Sequence, residues 1–187
     1  MTRIPLAERV DPRFPERWSP RAFDPRPVDA ADLAALFEAA RWAPSASNEQ
    51  PWRFVYADGG PGLDALRQVV NDSNRRWAGK APVLCVVFAR RTFEKSGKDN
   101  RWAAFDAGAA WQSLALQARS LGLVTHAMGG FSVEAAHQAC GISPEEAEAI
   151  CVIAIGHPGR VEELPEDLAA RDVPNGRRPV EEWLRRL

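Results

Sequence analysis

The sequence predicts a single domain, residues 1–187, of mixed α and β structure with extended arms at both ends. Apolar runs of strand length occur at 83–89 and 150–155, and they are hydrophobic on both faces, which is typical of strands inside a covered sheet. Stretches with helical spacing separate these runs. Residues 1–28 contain six prolines and six arginines, which favours an extended arm over a packed element. The tail from His157 onward, rich in Pro, Arg and Glu, is predicted to be the second arm.

In the first half of the chain, local signals predict two helices and two strands. Asp29 is a candidate N-cap for a helix over 29–43, which Pro44 ends. The segment RFVYA at 53–57 has the β-branched and aromatic content of a strand. A glycine-rich turn at 59–62 precedes a short helix that ends near Val70. After the strand at 83–89, residues 90–101 form a charged loop, either a lid over a substrate site or a solvated connection.

In the second half, the longest helical stretch runs from Arg101 to Leu121, with Gly122 as its predicted C′ residue. Because it is apolar over much of its circumference, this helix belongs in a core or in a subunit interface. A strand at 123–127, a loop at 128–131, a short helix between Ser132 and Gly141 and a buried strand at 149–156 follow. Ser143 and Glu146 have the spacing of a capping box, which predicts a further turn.

Composition and charge exclude several classes of protein. The net charge of −1 favours neither nucleic acid nor an anionic membrane surface. No apolar run approaches the roughly 20 residues that span a bilayer, and residues 1–17 lack the apolar region of a secretory signal. A cytoplasmic protein with neither membrane nor nucleic-acid partner is therefore expected. The three cysteines, Cys85, Cys140 and Cys151, have no spacing typical of zinc ligands or of a disulfide framework.

Common catalytic motifs are missing from the sequence. It contains no GxGxxG after a strand, no GxxxxGK[ST] and no GxSxG. His126, His137 and His157 do not form a metal-ligand pattern, and a structural role is favoured for each. The sequence thus predicts no metal site and no catalytic side chain.

Two polar clusters stand out instead. The segment Arg17-Trp18-Ser19-Pro20-Arg21 suits a phosphate held by charge-assisted, bidentate hydrogen bonds, or alternatively a solvated basic arm. The second cluster, residues 43–52 (APSASNEQPW), places a polar loop between a helix and a strand. Its amide and hydroxyl groups suit a neutral heterocycle such as a flavin ring, although composition alone indicates a capped turn.

The string RWAPSASNEQPWRF resembles the signature of the FMN-dependent nitroreductase family, AAxxAPSxxNxQPW. Other segments resemble this family in the same order along the chain. They are Arg17–Arg21, Asn74 with Trp77 before the strand after Pro82, Leu121 to Phe131, and Pro174 to Pro179. The resemblance covers residues 17–183, and the chain departs from the family pattern at Trp18, Ala46, Trp77 and Asn175.

The resemblance implies an α+β fold with a central, mostly antiparallel sheet flanked by helices, and a homodimer with FMN sites at its interface. NADH or NADPH would reduce the flavin in a ping-pong cycle. Arg17, Ser19 and Arg177 would hold the FMN phosphate, and Arg21 would lie near the pyrimidine edge of the ring. The full set of cofactor-binding residues implied is Arg17, Trp18, Ser19, Arg21, Pro44, Ser45, Ala46, Ser47, Asn48, Asn74, Met128, Gly129, Gly130 and Arg177.

The leading hypothesis is thus an NAD(P)H-dependent reductase of nitroaromatics, quinones or similar small acceptors. A specialised branch of the family, such as reductive dehalogenation, enal reduction or flavin cleavage, is an alternative. A flavin-binding protein without useful turnover is another. Trp42, Phe93, Trp102 and Phe131 are candidate walls of a substrate pocket, with a place in the core as the competing interpretation.

Overall fold

The computed structural model describes residues 9–187. The first eight residues of the predicted N-terminal arm lie outside this range. Within it, the helices are α1 (Arg13–Glu16), α2 (Ala30–Arg41), α3 (Gly60–Val69), α4 (Asp72–Ala78), α5 (Ala103–Ser120), α6 (Val133–Cys140) and α7 (Glu166–Ala169). The strands are β1 (Phe23–Asp24), β2 (Trp52–Ala57), β3 (Val83–Arg90), β4 (Val124–Met128) and β5 (Ala147–Pro158). Short 3-10 turns cover Ala46–Asn48, Val161–Glu163 and Val180–Glu182.

All strand pairs described are antiparallel, which confirms the predicted sheet. The order runs β2, β3, β5, and both β4 and β1 pair with β5. β5 therefore contacts three strands, with Val124 of β4 opposite Gly156 and Phe23 of β1 opposite Pro158. This long strand aligns the N-terminal segment with the strand that precedes the Met128–Phe131 loop.

Two apolar layers cover the two faces of the sheet, because successive side chains of a strand point to opposite faces. Even-numbered residues of β3, such as Leu84 and Phe88, pack against α3, α4 and α6. Odd-numbered residues, such as Cys85 and Val87, pack against α2 and α5. The prediction that the run at 83–89 lies inside a covered sheet is thus confirmed.

The predicted element boundaries agree with the structure to within a few residues, and several caps are confirmed. Asp29 accepts a hydrogen bond from the backbone N–H of Ala31, and Gly122 adopts the left-handed conformation at φ 72°. The Ser132 hydroxyl accepts from Ala135 N–H, and Gly141 ends α6 at φ 66°. Ser143 begins only a single turn, which leads directly into β5.

The terminal segments are more structured than an extended arm. The N-terminal segment has no regular structure through residues 17–20, but Ala22 and Phe23 beyond them are buried. In the tail, Leu164 and Leu168 are buried in the layer that holds α3 and α4. Apolar anchors therefore dock both segments on the body of the protein. No helix within residues 9–187 is long and apolar enough to cross a membrane.

Candidate functional site: an arginine-lined cleft and a strained loop

A cleft of about 520 Å³ lies between the N-terminal segment and the C-terminal tail. Its lining residues are Arg17, Trp18, Ser19, Arg21, His126, Arg171, Val173, Asn175 and Arg177. The cleft brings together five residues of the predicted cofactor-binding set, which are Arg17, Trp18, Ser19 and Arg21 of the RxSxR segment and Arg177 of the tail. The structure therefore joins two segments that are separated by about 150 positions in the sequence.

A buried carboxylate, Asp172, holds the two segments together. Its two oxygens accept the backbone N–H groups of Arg21 at 2.8 Å and of Ala22 at 3.2 Å. The Arg21 guanidinium also lies 3.8 Å from this carboxylate, whose side chain is fully buried. Asp172 gives no sequence signal, because a lone Asp in a charged tail has the same pattern as a solvated residue.

The lining of the cleft carries four guanidinium groups and no carboxylate. One guanidinium, that of Arg17, donates to the Ser19 hydroxyl at 3.3 Å. Arg177 donates to backbone carbonyls of its own turn, at Asn175 and Gly176. Arginine forks of this kind match the geometry and charge of a phosphate monoester. The donor set therefore fits the phosphate of FMN.

His126 also lines the cleft, whereas the sequence favoured a structural role for it. Its Nδ1 lies 2.9 Å from the Pro20 carbonyl, which can only accept, so Nδ1 carries the proton. Its ring packs on Trp77 with centroids 4.4 Å apart, and Trp77 itself is buried against Phe23. Burial lowers the pKa of His126, opposed by the Pro20 hydrogen bond, so the imidazole is neutral at pH 7.

The loop between α2 and β2 holds an unusual backbone. Ser47, Asn48 and Gln50 have φ values of 55°, 57° and 48°, in the left-handed region that side chains disfavour. Each such residue costs on the order of 1–2 kcal/mol, somewhat less for Asn. Strain of this kind persists only where the surroundings fix it, and it concentrates at functional sites.

Several contacts fix this loop. The buried carboxylate of Asp106 on α5 accepts the Ala46 N–H at 3.1 Å, and the Ser45 hydroxyl accepts the Gln50 N–H at 3.0 Å. The Glu49 carboxylate binds the Arg90 guanidinium at 2.6 Å. Pro44, Ser47 and Asn48 remain exposed, so this part of the loop is open to solvent.

A third group of predicted residues meets at the end of β4. The side-chain amide of Asn74 donates to the Gly130 carbonyl at 3.2 Å, and the Asn71 N–H donates to the same oxygen. A Cβ on Gly130 would lie 2.5 Å from the Asn71 side chain, whereas Gly129 faces open space. The Met128 side chain is buried in the core, so only backbone groups of this turn face outward.

Within one chain, the three groups do not form one pocket. None of the residues Pro44, Ser45, Ala46, Ser47 or Asn48 lines the arginine cleft, and neither does Asn74 nor the 128–130 turn. The cleft and the loop are two separate surfaces of the described chain.

A sequence model of the Nitroreductase family matches residues 15–76 and 63–157, which contain the RxSxR segment, the strained loop and the Gly129-Gly130 turn. The chain belongs to the nitroreductase family. This membership confirms the family that the motifs predicted.

Relatives and a solved structure agree with this membership. A putative NADH dehydrogenase/NAD(P)H nitroreductase from Archaeoglobus fulgidus is 30% identical over 146 residues, which are 76% of this chain and 81% of the relative. A putative NADH dehydrogenase/NAD(P)H nitroreductase from Streptomyces coelicolor is 35% identical over 95 residues, or 51% of this chain. The match covers only 46% of that relative's length.

A crystal structure described as an oxidoreductase containing FMN superposes with a TM-score of 0.92 at 40% sequence identity. The superposition covers 98% of this chain and 94% of the other. Together with the family match, these comparisons agree with the predicted class of FMN-dependent oxidoreductase.

Of the four aromatic residues proposed as pocket walls of this nitroreductase-family chain, two are exposed and two, Phe93 and Phe131, are partly buried. Trp42 and Trp102 are exposed, and the guanidinium groups of Arg41 and Arg101 lie over their rings at 4.7 and 4.6 Å. Phe131 packs partly buried against the core. Phe93 lies in the 90–101 loop, where the isolated bridge between Thr92 and Asp99 gives a hairpin-like shape.

Proposed function

We propose that this protein is an FMN-dependent oxidoreductase that takes a hydride from NADH or NADPH and reduces a small acceptor, such as a nitroaromatic compound or a quinone. The observation that carries the proposal is the cleft lined by four arginines and Ser19. Family membership and the names of the relatives support the same chemistry. When bound, FMN supplies that chemistry by accepting hydride at N5 and releasing electrons to the acceptor in a ping-pong cycle.

In this proposal the cleft holds the phosphate end of FMN. Arg17, Ser19 and Arg177 bind the phosphate oxygens, and Trp18 forms a wall of the cleft beside them. Arg21 would lie toward the pyrimidine edge of the ring, where its positive charge would favour negative charge on the flavin. Asp172 keeps the Arg21 backbone in place, because it binds the N–H groups of both Arg21 and Ala22.

The ring end of the site is proposed to need a second subunit. The exposed loop with Pro44, Ser45, Ala46, Ser47 and Asn48 does not reach the cleft of its own chain. We therefore infer a homodimer in which each loop lines the flavin held by the partner. Asn74 and the Met128-Gly129-Gly130 turn would contact the ring edge.

The protein's own contribution is binding, orientation and a field of positive charge. The scheme assigns no acid or nucleophile role to any side chain of the cleft: its lining holds no carboxylate, and the Nδ1–H of His126 is bonded to the Pro20 carbonyl. That assignment agrees with the sequence, which carries no triad or nucleophile motif. A nicotinamide and an acceptor would occupy the exposed face of the ring in turn.

The first test is an absorption spectrum of the freshly purified protein, followed by titration with NADH and with NADPH without oxygen. Flavin bands near 370 and 450 nm that bleach with a nucleotide and return on adding an acceptor are the expected result. Bleaching without recovery, with loss of the flavin itself, would favour a flavin-cleaving branch. Failure to take up added FMN would overturn the proposal.

Arg177→Ala should weaken FMN binding roughly tenfold to a hundredfold, because a charge-assisted hydrogen bond contributes about 1.5–3 kcal/mol. Turnover of the flavin-loaded enzyme should fall much less. Arg178→Ala is the matched control, since this neighbouring arginine is exposed and outside the cleft lining. FMN titration by fluorescence and steady-state NAD(P)H oxidation measure the two effects. Equal loss of both would argue against a phosphate role.

A further inference from the structure

Glu49 lies near the C-terminal end of the strained loop, and its side chain makes two hydrogen bonds to groups outside the loop. It lies between left-handed Asn48 and left-handed Gln50, while its side chain is only 10% exposed. One carboxylate oxygen, Oε1, accepts both from the Arg90 guanidinium and from the backbone N–H of Glu94, each at 2.6 Å. Glu49 therefore ties the loop to the end of β3 and to the 90–101 loop.

Arg90, which binds the Glu49 carboxylate, is itself held in place. Its side chain is 14% exposed, and its backbone N–H donates to the Pro51 carbonyl just after the loop. A second carboxylate, that of Glu94, lies 3.3 Å from the same guanidinium but is 76% exposed. A buried ion pair of this kind fixes geometry more than it adds stability, because desolvation offsets much of its attraction.

The left-handed backbone on either side of Glu49 depends on contacts of this kind. Ser47, Asn48 and Gln50 would relax toward ordinary backbone regions if nothing outside the loop held them. The Asp106 contact fixes the start of the loop at Ala46, and the Glu49 contact fixes its other end. With both ends fixed, Ser47 and Asn48 stay exposed in one arrangement.

We propose that Glu49 is a positioning residue for flavin binding: its contacts with Arg90 and Glu94 hold Ser47 and Asn48 in the backbone conformation that receives the ring. This inference rests on the proposed function, since it assigns the loop to the ring end of FMN. It differs from a phosphate role, because it predicts an effect on flavins with and without a phosphate.

The test measures the affinity of the full-length apoprotein for FMN and for riboflavin, which lacks the phosphate, by quenching of flavin fluorescence. Glu49→Gln keeps the side-chain size and removes the charge. We expect it to weaken binding of both flavins by the same factor, about tenfold, as expected for one lost charge-assisted contact. The 450 nm band of the bound flavin should shift as well. Arg177→Ala should weaken FMN binding and leave riboflavin binding unchanged.

Glu94→Gln is the matched control, because it removes a carboxylate from the same arginine and leaves the Glu94 N–H in place. Its flavin affinities should stay within about twofold of those of the unaltered protein. Thermal unfolding of each apoprotein checks the fold. If Glu49→Gln lowers only the unfolding temperature and leaves both affinities and the band unchanged, the residue is merely structural and the inference is overturned. If the unaltered protein binds no flavin, the proposed function fails instead.

Discussion

At the scale of single residues, one buried carboxylate links the two segments that form the arginine cleft. Asp172 lies at the start of an exposed stretch of the tail, yet it is only 4% exposed. It accepts two backbone N–H groups from residues 150 positions earlier and faces the Arg21 guanidinium. Loss of this contact would leave buried donors without partners, and it would free the tail that carries Arg177.

Asp172→Asn should destabilise the protein by about 1–3 kcal/mol, because its amide group cannot accept both N–H groups. Flavin affinity should fall with it, since Arg21 and Arg177 lose their common anchor. Urea denaturation and FMN titration measure the two effects. Asp167→Asn provides the control: Asp167 also pairs with an arginine of the body, Arg76, but both partners are exposed, so stability should change little. Equal effects of the two substitutions would contradict the anchoring role.

At the scale of elements, the packing of α4 shows where sequence patterns fall short. Residues 72–78 form a helix that no sequence pattern predicted, and the stretch is short and mostly polar. The helix forms because the Asn71 side chain caps it by accepting the Asn74 N–H, and because Trp77 and Ala78 are buried. Its first turn then packs on the Gly130 carbonyl, which couples α4 to the end of β4.

Gly130→Ala tests this coupling. The new Cβ would lie 2.5 Å from the Asn71 side chain and 2.7 Å from that of Asn74, so these two amides, or α4 with them, must move. We expect a loss of roughly 1–3 kcal/mol, as for other overpacked sites. Gly129→Ala adds the same methyl group where nothing lies within 4 Å, and it should leave stability nearly unchanged. Thermal unfolding distinguishes the two, and a harmless Gly130→Ala would rule out close packing at this junction.

At the scale of the whole molecule, the proposed site is divided between two surfaces. The arginine cleft joins the two ends of the chain, and the strained loop is held by α5 and β3 away from it. The sheet and both apolar layers hold α5 and β3 in place. A movement of the loop within one chain would therefore not readily bring it to the arginine cleft. In the proposed symmetric dimer, each loop would meet the partner's cleft without such a change.

Subunit complementation tests this division. Arg177→Ala subunits lack part of the cleft, and Asn48→Ala subunits lack part of the loop. At an FMN concentration at which neither homodimer binds, mixed dimers should recover about a quarter of all sites, because each heterodimer has one fully intact site. A protein with both substitutions, reassembled with itself, is the control and should recover none. No recovery in authenticated heterodimers would mean that each site is built within one chain.

The sequence by itself determined much of the architecture. The buried strand at 83–89 and the caps at Asp29, Ser132 and Gly141 follow from local sequence, since a continuous apolar run, a capping side chain and a left-handed turn depend on near neighbours. The ordered motifs at 17–21, 43–52 and 174–179 also identified the family, which the family match confirms. The roles of the individual cofactor-binding residues stay predictions.

Only the tertiary structure decided which of these residues meet. Arg17, Ser19, Arg21 and Arg177 share a cleft because Asp172 and the buried Phe23 dock two distant segments on β5 and its neighbours. His126 joins them because β4 pairs with β5. Glu49 can hold the 43–52 loop in place only because β3 ends at Arg90, whose guanidinium binds the Glu49 carboxylate. These contacts depend on burial and on pairing between residues far apart in the chain, and no local pattern of residues encodes them.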